Sequence, residues 1–189
     1  PPPPCVQAED GIRDRRKSLV GSEMCIRDSN QNSCQGDIAF VDLLARMGCR
    51  VAKQQDGIAV TGGPLRGIDV DMAAMPDLVP TLGVVAAFAQ GTTTIRNVAH
   101  LRFKESDRLA AMTAELRKMG ATAESDAGAM TIVGAKQHGA HINTYDDHRI
   151  AMSFAVAGLK VPGVVIEQEQ VVNKSFPTFW EVFEGLYGE

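Results

Sequence analysis

Two long apolar runs stand out along the chain, LVPTLGVVAAFA (78–89) and RIAMSFAVAGL (149–159). Each exceeds a typical strand and falls short of the ~20 apolar residues a membrane span needs, so each predicts a buried helix. LLARMGCRV (43–51) and ELRKMGATA (115–123) show apolar residues at helical spacing, then Gly, which suits a left-handed C-cap. Both lead into alternating segments, VAKQQDGIAVTG (51–62) and TAESDAGAMTIVG (122–134), whose QDG and DAG triplets predict hairpin turns. The β-branched runs TTTIRNV (92–98) and GVVIEQ (163–168) predict further strands.

These elements repeat. The amphipathic segment at 43–51 aligns with the one at 115–123. The interval from Asp77 to Lys104 equals the interval from Asp147 to Lys174. Within each come an apolar helix, a Gly or Pro turn and a β-branched strand; after each Lys comes another helix. The unit reads strand–helix–strand–helix, closed by a hairpin in the complete copy. One whole copy covers about 67–134, one shortened at its end covers about 140–187, and the last half of an earlier one covers about 33–63. Alternating strands and helices predict an α/β (α+β) class with helices packed on sheets. A chain that opens mid-repeat is expected to be a fragment.

The segment 1–29 fits neither period. QAEDGIRD (7–14) and LVGSEMCIRDS (19–29) are what a common short-read sequencing adapter and its matching transposon arm encode, and RRKS (15–18) has the length of the index between them. The expectation is a non-native, disordered tail over 1–29, free of core contacts at Ile12, Leu19 and Ile26, with a single domain from about Asn30 to 189. That segment holds five basic and five acidic residues, so the net charge stays −4 without it. A mildly acidic chain argues against a nucleic-acid or anionic-membrane surface as the main partner. Four cysteines without CxxC spacing argue against a disulfide framework or zinc site, and make a reducing cytoplasm the default.

Chemistry concentrates in two stretches. In FKESDRLAAM (103–112), Ser106 is the expected N-cap of a helix, with Lys104, Glu105 and Arg108 around its start. Ordinary i,i+3 and i,i+4 charge pairs would explain the pattern. However, cations at a helix N-terminus oppose its dipole, which makes sense where an anion sits among them. Lys174 repeats the arrangement. In TYDDHRIAMS (144–153), Asp146 or Asp147 could cap the next helix, and Asp77 in MPDLVP (75–80) the one before it. Metal ligation by Asp-Asp-His is disfavoured: no second His stands at i,i+4, and His148 reads as a satisfied ring. Arg102, Lys104, Arg108, Arg149 and Lys174, set against Asp77, Glu105 and Asp147, suit a substrate with more than one anionic group.

At these residues the sequence resembles the 5-enolpyruvylshikimate-3-phosphate synthase family, specifically its C-terminal half. NSCQGD (32–37), GTTTIRNVAHLRFKESDRL (91–109), TYDDHRIAMSFA (144–155) and NKSFPTFW (173–180) carry the likeness, in order, from about Asn30 to the C-terminus. The resemblance implies a cytoplasmic, monomeric full-length enzyme of two similar domains built from βαβαββ units, with no cofactor and no metal. Its substrates would be shikimate 3-phosphate and phosphoenolpyruvate, with glyphosate as a possible competitor. The implied roles are Asp77 as acceptor of the 5-hydroxyl proton and Glu105 as donor to the enol methylene. His100 and Lys104 would contact the shikimate substrate, and Arg108, Arg149 and Lys174 would hold phosphoenolpyruvate. Two positions depart from the family pattern: His100 replaces a frequent Asn, and QEQVV (168–172) replaces a DPGC-like turn. The implied N-terminal domain is absent, so the fragment alone is expected to be inactive. Competing readings are the related transfer to a UDP-amino sugar and a stand-alone anion-binding domain.

Overall fold

The computed structural model describes residues 23–26, 36–54 and 57–185. They belong to two compact units, up to Gly63 and from Pro64 onward.

The first unit pairs α1 (Phe40–Met47) with a three-stranded antiparallel sheet ordered β1-β3-β2, where β1 is Glu23–Ile26, β2 Arg50–Gln54 and β3 Gly57–Thr61. Val41, Leu43 and Met47 form the buried stripe of α1. Gly48 ends the helix at φ 115°, the left-handed C-cap expected from sequence. The register runs Met24 opposite Val60 and Val51 opposite Val60 on the other side. Residues 23–26, within the segment expected to be a tail, pair with β3 as β1. A sheet edge offers a row of unpaired N–H and C=O groups to any extended neighbour. Ile12 and Leu19, and the side chain of Ile26, lie outside the described residues.

The second unit opens with one complete repeat. β4 (Asp69–Asp71), α2 (Val79–Ala87), β5 (Thr92–Arg96), α3 (Arg108–Lys118), β6 (Thr122–Ser125) and β7 (Met130–Val133) follow in βαβαββ order. Their sheet is ordered β4-β5-β7-β6, with β4 parallel to β5 and the other pairs antiparallel. The next repeat supplies β8 (His141–Ile142), α4 (His148–Gly158), β9 (Val165–Ile166) and α5 (Phe179–Glu184), with β8 and β9 again parallel. The repeat deduced from the two equal Asp-to-Lys intervals is therefore a repeat in space.

α2 is apolar on all sides because it is covered on all sides. Val79, Leu82, Val84, Ala86 and Ala87 are buried, and α3, α4, β5 and β7 pack around it. Gly83 lets α3 approach: a Cβ there would meet Met112 Cε at 2.9 Å. Ile95, Leu109, Met112, Leu116, Met130, Ile132, Ile150 and Phe154 complete a core with no solvent contact or nearly none. Ala151, Val171 and Val172 form a smaller cluster with Phe179 and Trp180. The chain enters the parallel pair through Gly67, where an added Cβ would collide with the Thr92 backbone. Among the described residues, no helix is long and apolar enough to cross a membrane.

Candidate functional site

Three helical starts meet around α2 in the second unit. Asp77 sits in a 3-10 turn, Pro76–Leu78, that runs into α2. Arg108 is the first residue of α3, and His148 the first of α4. The packing of α2 against both α3 and α4 brings these starts together.

Arg108 is the hub. It is 2% exposed, and three carboxylates surround it. Its Nε donates to Asp147 Oδ2 at 2.6 Å and its Nη2 to Asp147 Oδ1 at 3.4 Å. Its Nη1 donates to Asp77 Oδ1 at 2.9 Å, and its Nη2 lies 3.6 Å from Glu105 Oε2. Burial works against the guanidinium charge, yet the hydrogen bonds and charges of Asp147 and Asp77 outweigh it and hold the Arg108 pKa above its ordinary value. Asp147 is fully buried. Burial would raise its pKa; hydrogen bonding and charge from Arg108 prevail, helped by Arg149 N–H and Ser106, and hold the carboxyl below the usual carboxylate range.

The caps differ in detail from the sequence expectation. Asp147 does cap α4, accepting from Arg149 N at 3.0 Å. α3 is capped by Asp107, which accepts from Ala110 N at 3.0 Å, and Ser106 is no cap. Ser106 Oγ instead donates to Asp147 Oδ2 at 3.2 Å. The buried carboxylate drew the hydroxyl because it had acceptor capacity left after Arg108. Asp77 caps nothing at the 3-10 turn; its carboxylate receives Arg108 and, on Oδ2 at 3.0 Å, Arg149 Nη2.

The remaining candidates separate by exposure. Glu105 is half exposed, with Oε2 3.1 Å from His148 Nδ1. The ring is not the satisfied one expected from sequence: Nδ1 is buried and lacks an aligned hydrogen-bond partner. Glu105, Asp147 and His148 offer donor atoms within 4.8 Å of one another. Both Asp147 oxygens already accept from the Arg108 guanidinium. His100 and Lys104 are exposed, in and just after a 3-10 segment, Ala99–Phe103. Lys174 reaches Asp146, with Nζ 2.8 Å from Oδ2 and 3.0 Å from its carbonyl O. Arg102 serves the scaffold: it binds the α3 cap Asp107 at 2.9 Å and donates to Asp126 O in the β6–β7 turn. Asp77, Glu105, Arg108 and Arg149 thus share one ion-pair network. His100, Lys104 and Lys174 stand outside it.

Comparison with known proteins bears on this geometry. Residues 18–183 match the family described as EPSP synthase (3-phosphoshikimate 1-carboxyvinyltransferase). The chain belongs to the EPSP synthase family. The match begins inside the 1–29 segment. A 3-phosphoshikimate 1-carboxyvinyltransferase from Syntrophobacter fumaroxidans is 51% identical over 172 residues, 89% of this chain and 41% of that protein. One from Methanoculleus marisnigri is 46% identical over 91% of this chain and 40% of that protein. EPSP synthase from Acinetobacter baumannii superposes with a TM-score of 0.74 at 29% identity, covering 87% of this chain and 41% of that chain. This EPSP synthase family chain therefore spans about two-fifths of the length of the curated relatives it matches.

Proposed function

We propose that this chain supplies one half of a site that transfers the enolpyruvyl group of phosphoenolpyruvate to the 5-hydroxyl of shikimate 3-phosphate, releasing phosphate. The observation that carries the reading is the meeting of Asp77, Glu105, Arg108 and Arg149 at three helical starts. Family membership and the names of the relatives supply the substrates.

The chemistry asks for two charge movements. Protonation of the enol methylene makes the adjacent carbon electrophilic, and the hydroxyl adds to it as a base takes its proton; loss of phosphate from the tetrahedral adduct, together with one proton from the newly formed methyl group, regenerates the enol ether. Glu105 gives the first proton: its head is half exposed, beside His148 and Arg108. Asp77 is the acceptor for the second, set between two guanidiniums. Arg149 and the N-terminus of α4 face the anion, with Lys174 and Lys104 adding positive charge around the site. The N-terminal region of the relatives would complete the shikimate pocket, and closure over the substrates would exclude water.

The test is a whole protein in which this chain, from residue 30, continues the N-terminal region of the Syntrophobacter relative. Phosphate release that requires both phosphoenolpyruvate and shikimate 3-phosphate is expected. Release with a UDP-amino sugar as the acceptor, and none with shikimate 3-phosphate, would overturn the assignment. The chain alone is expected to release no phosphate above the solution background.

A further inference from the structure

A buried carboxylate outside the ion-pair network has no role in the chemistry above. Glu115, on α3 two turns beyond Arg108, is 0% exposed. A carboxylate so placed is costly unless its lone pairs are satisfied. Its partners are Tyr145 OH on Oε1 at 2.7 Å, Asn143 N–H on Oε2 at 3.1 Å, and Lys118 Nζ at 2.8 Å. Lys118 is a local helix neighbour. The other two belong to the turn that leads into α4.

That turn is strained. Tyr145 and Asp146 both adopt left-handed backbone, at φ 53° and 58°. Consecutive non-glycine residues there are unfavourable and persist only where the surroundings over-determine them. Glu115 grips the turn from α3. Lys174 grips Asp146 from further along the same repeat. Asn143 Oδ1 and Thr144 O close it internally, accepting from Tyr145 N and Asp147 N. The turn delivers Asp147 to its buried place on Arg108, just before Arg149. α3 therefore holds the 143–149 segment at two points. Arg108 and Glu115, two helical turns apart, are separated by about 10 Å of helix at 1.5 Å per residue.

We infer that Glu115, acting through the Tyr145 hydroxyl, is a positioning residue that fixes the 143–146 turn and so aims the Asp147–Arg149 start of α4 at the anionic substrate. The inference deepens the transferase reading and rests on it. The helix macrodipole, the α4 N–H groups and Arg149 share one origin, so a rotation of this turn would misalign them together. The Tyr145 hydroxyl behaves as a committed donor: burial first, then its bond to Glu115 and that carboxylate's charge, push its pKa up to about 12.

The test compares wild type, Tyr145→Phe and Glu115→Gln in the whole protein described above. Ile132→Val serves as a stability control in the β7 core, away from the turn. Tyr145 is partly exposed, so Y145F retains the packing and is expected to fold. The expected result is a rise of about tenfold in the phosphoenolpyruvate KM and Kd for Y145F. E115Q should show a larger rise, and I132V none despite a comparable loss of Tm. A purely structural contact would lower Tm in Y145F and leave KM and Kd unchanged, and that outcome overturns the inference. If the wild type binds phosphoenolpyruvate without releasing phosphate, the transferase reading fails by itself, and the ratio of the two Kd values still decides the role of Glu115.

Discussion

Replacing Asp147 by Asn keeps the shape of the side chain and its capping oxygen but removes the charge that Arg108 is built around. Asn is as good an N-cap as Asp, so the bond from Arg149 N–H need not be lost. What changes is a buried ion pair with both partners nearly inaccessible, at 3% and 0% side-chain exposure. Removing one partner of such a pair costs about 3–5 kcal/mol, chiefly because the other charge stays buried without compensation. Asp77 still faces Arg108 at 2.9 Å and is partly solvated, so the lower end applies, about 3 kcal/mol. The assay is urea unfolding followed through the fluorescence of Trp180, at a series of pH values. Because the folded-state pKa of Asp147 lies below its unfolded value, near 3.9, its contribution is fully present above that value. It fades as pH falls through the depressed folded pKa. The gap between wild type and D147N should therefore be constant from pH 7 to about 5 and close on further acidification. A gap that persists unchanged into strong acid, or no gap at neutral pH, would refute the view that the Arg108–Asp147 charge pair holds these helix starts together.

Glu105→Gln in the whole protein should lower kcat for phosphate release by at least about 100-fold while phosphoenolpyruvate still binds, as expected for loss of a general acid; stopped-time phosphate assays and calorimetric titration check it. Arg149→Ala should weaken phosphoenolpyruvate binding by about 1.5–3 kcal/mol, roughly 10- to 150-fold in Kd, with little loss of Tm because its side chain is one-third exposed. Gly67→Ala should destabilise the β4–β5 crossing by more than about 2 kcal/mol, since the new methyl meets backbone that cannot yield; thermal unfolding reads it directly.

The repeat was legible because two signals with different physical origins agreed. The length of the apolar runs located α2 and α4, and the equal spacing from Asp to Lys tied each to the strand and charged segment after it. Gly48 and Gly120 were legible too, since only a left-handed residue ends those helices as they end, at φ 115° and 104°. The competition among caps was harder to read. Ser106 and Asp107 are adjacent and both able to cap; the choice fell to Asp107 because Asp147, far along the chain, claims the Ser106 hydroxyl. Glu115 and Tyr145 were missed for the same reason. One signal pointed to Glu115: it stands between Met112 and Leu116, which puts a carboxylate on the buried stripe of α3. A charged group there demands partners, but nothing local says that they lie in the 143–145 turn. Residues 23–26 show no strand period of their own, so nothing local pointed to their pairing with β3.

The network also ranks the cations that the sequence left equivalent. A side chain can serve a ligand only with the donors that the fold leaves available. Arg108 spends Nε, Nη1 and Nη2 on three carboxylates and is sealed from solvent, so turning it toward a substrate would strand Asp147 in a dry site. Arg149 is held by the Asp77 side chain and, at 3.4 Å, by the Asp77 carbonyl oxygen; both side chains are about one-third exposed, so an exchange of one anion for another costs little desolvation. We therefore propose Arg149 as the guanidinium that meets a phosphate or carboxylate at the lower cost. Arg108 is the one that keeps Asp77, Asp147 and the starts of α3 and α4 in place while it does. Substitution should separate the two roles cleanly: Arg108→Lys cannot reproduce a three-way guanidinium contact and should be read first as lost stability, whereas Arg149→Lys keeps the charge at an open position and should be read first as a raised KM.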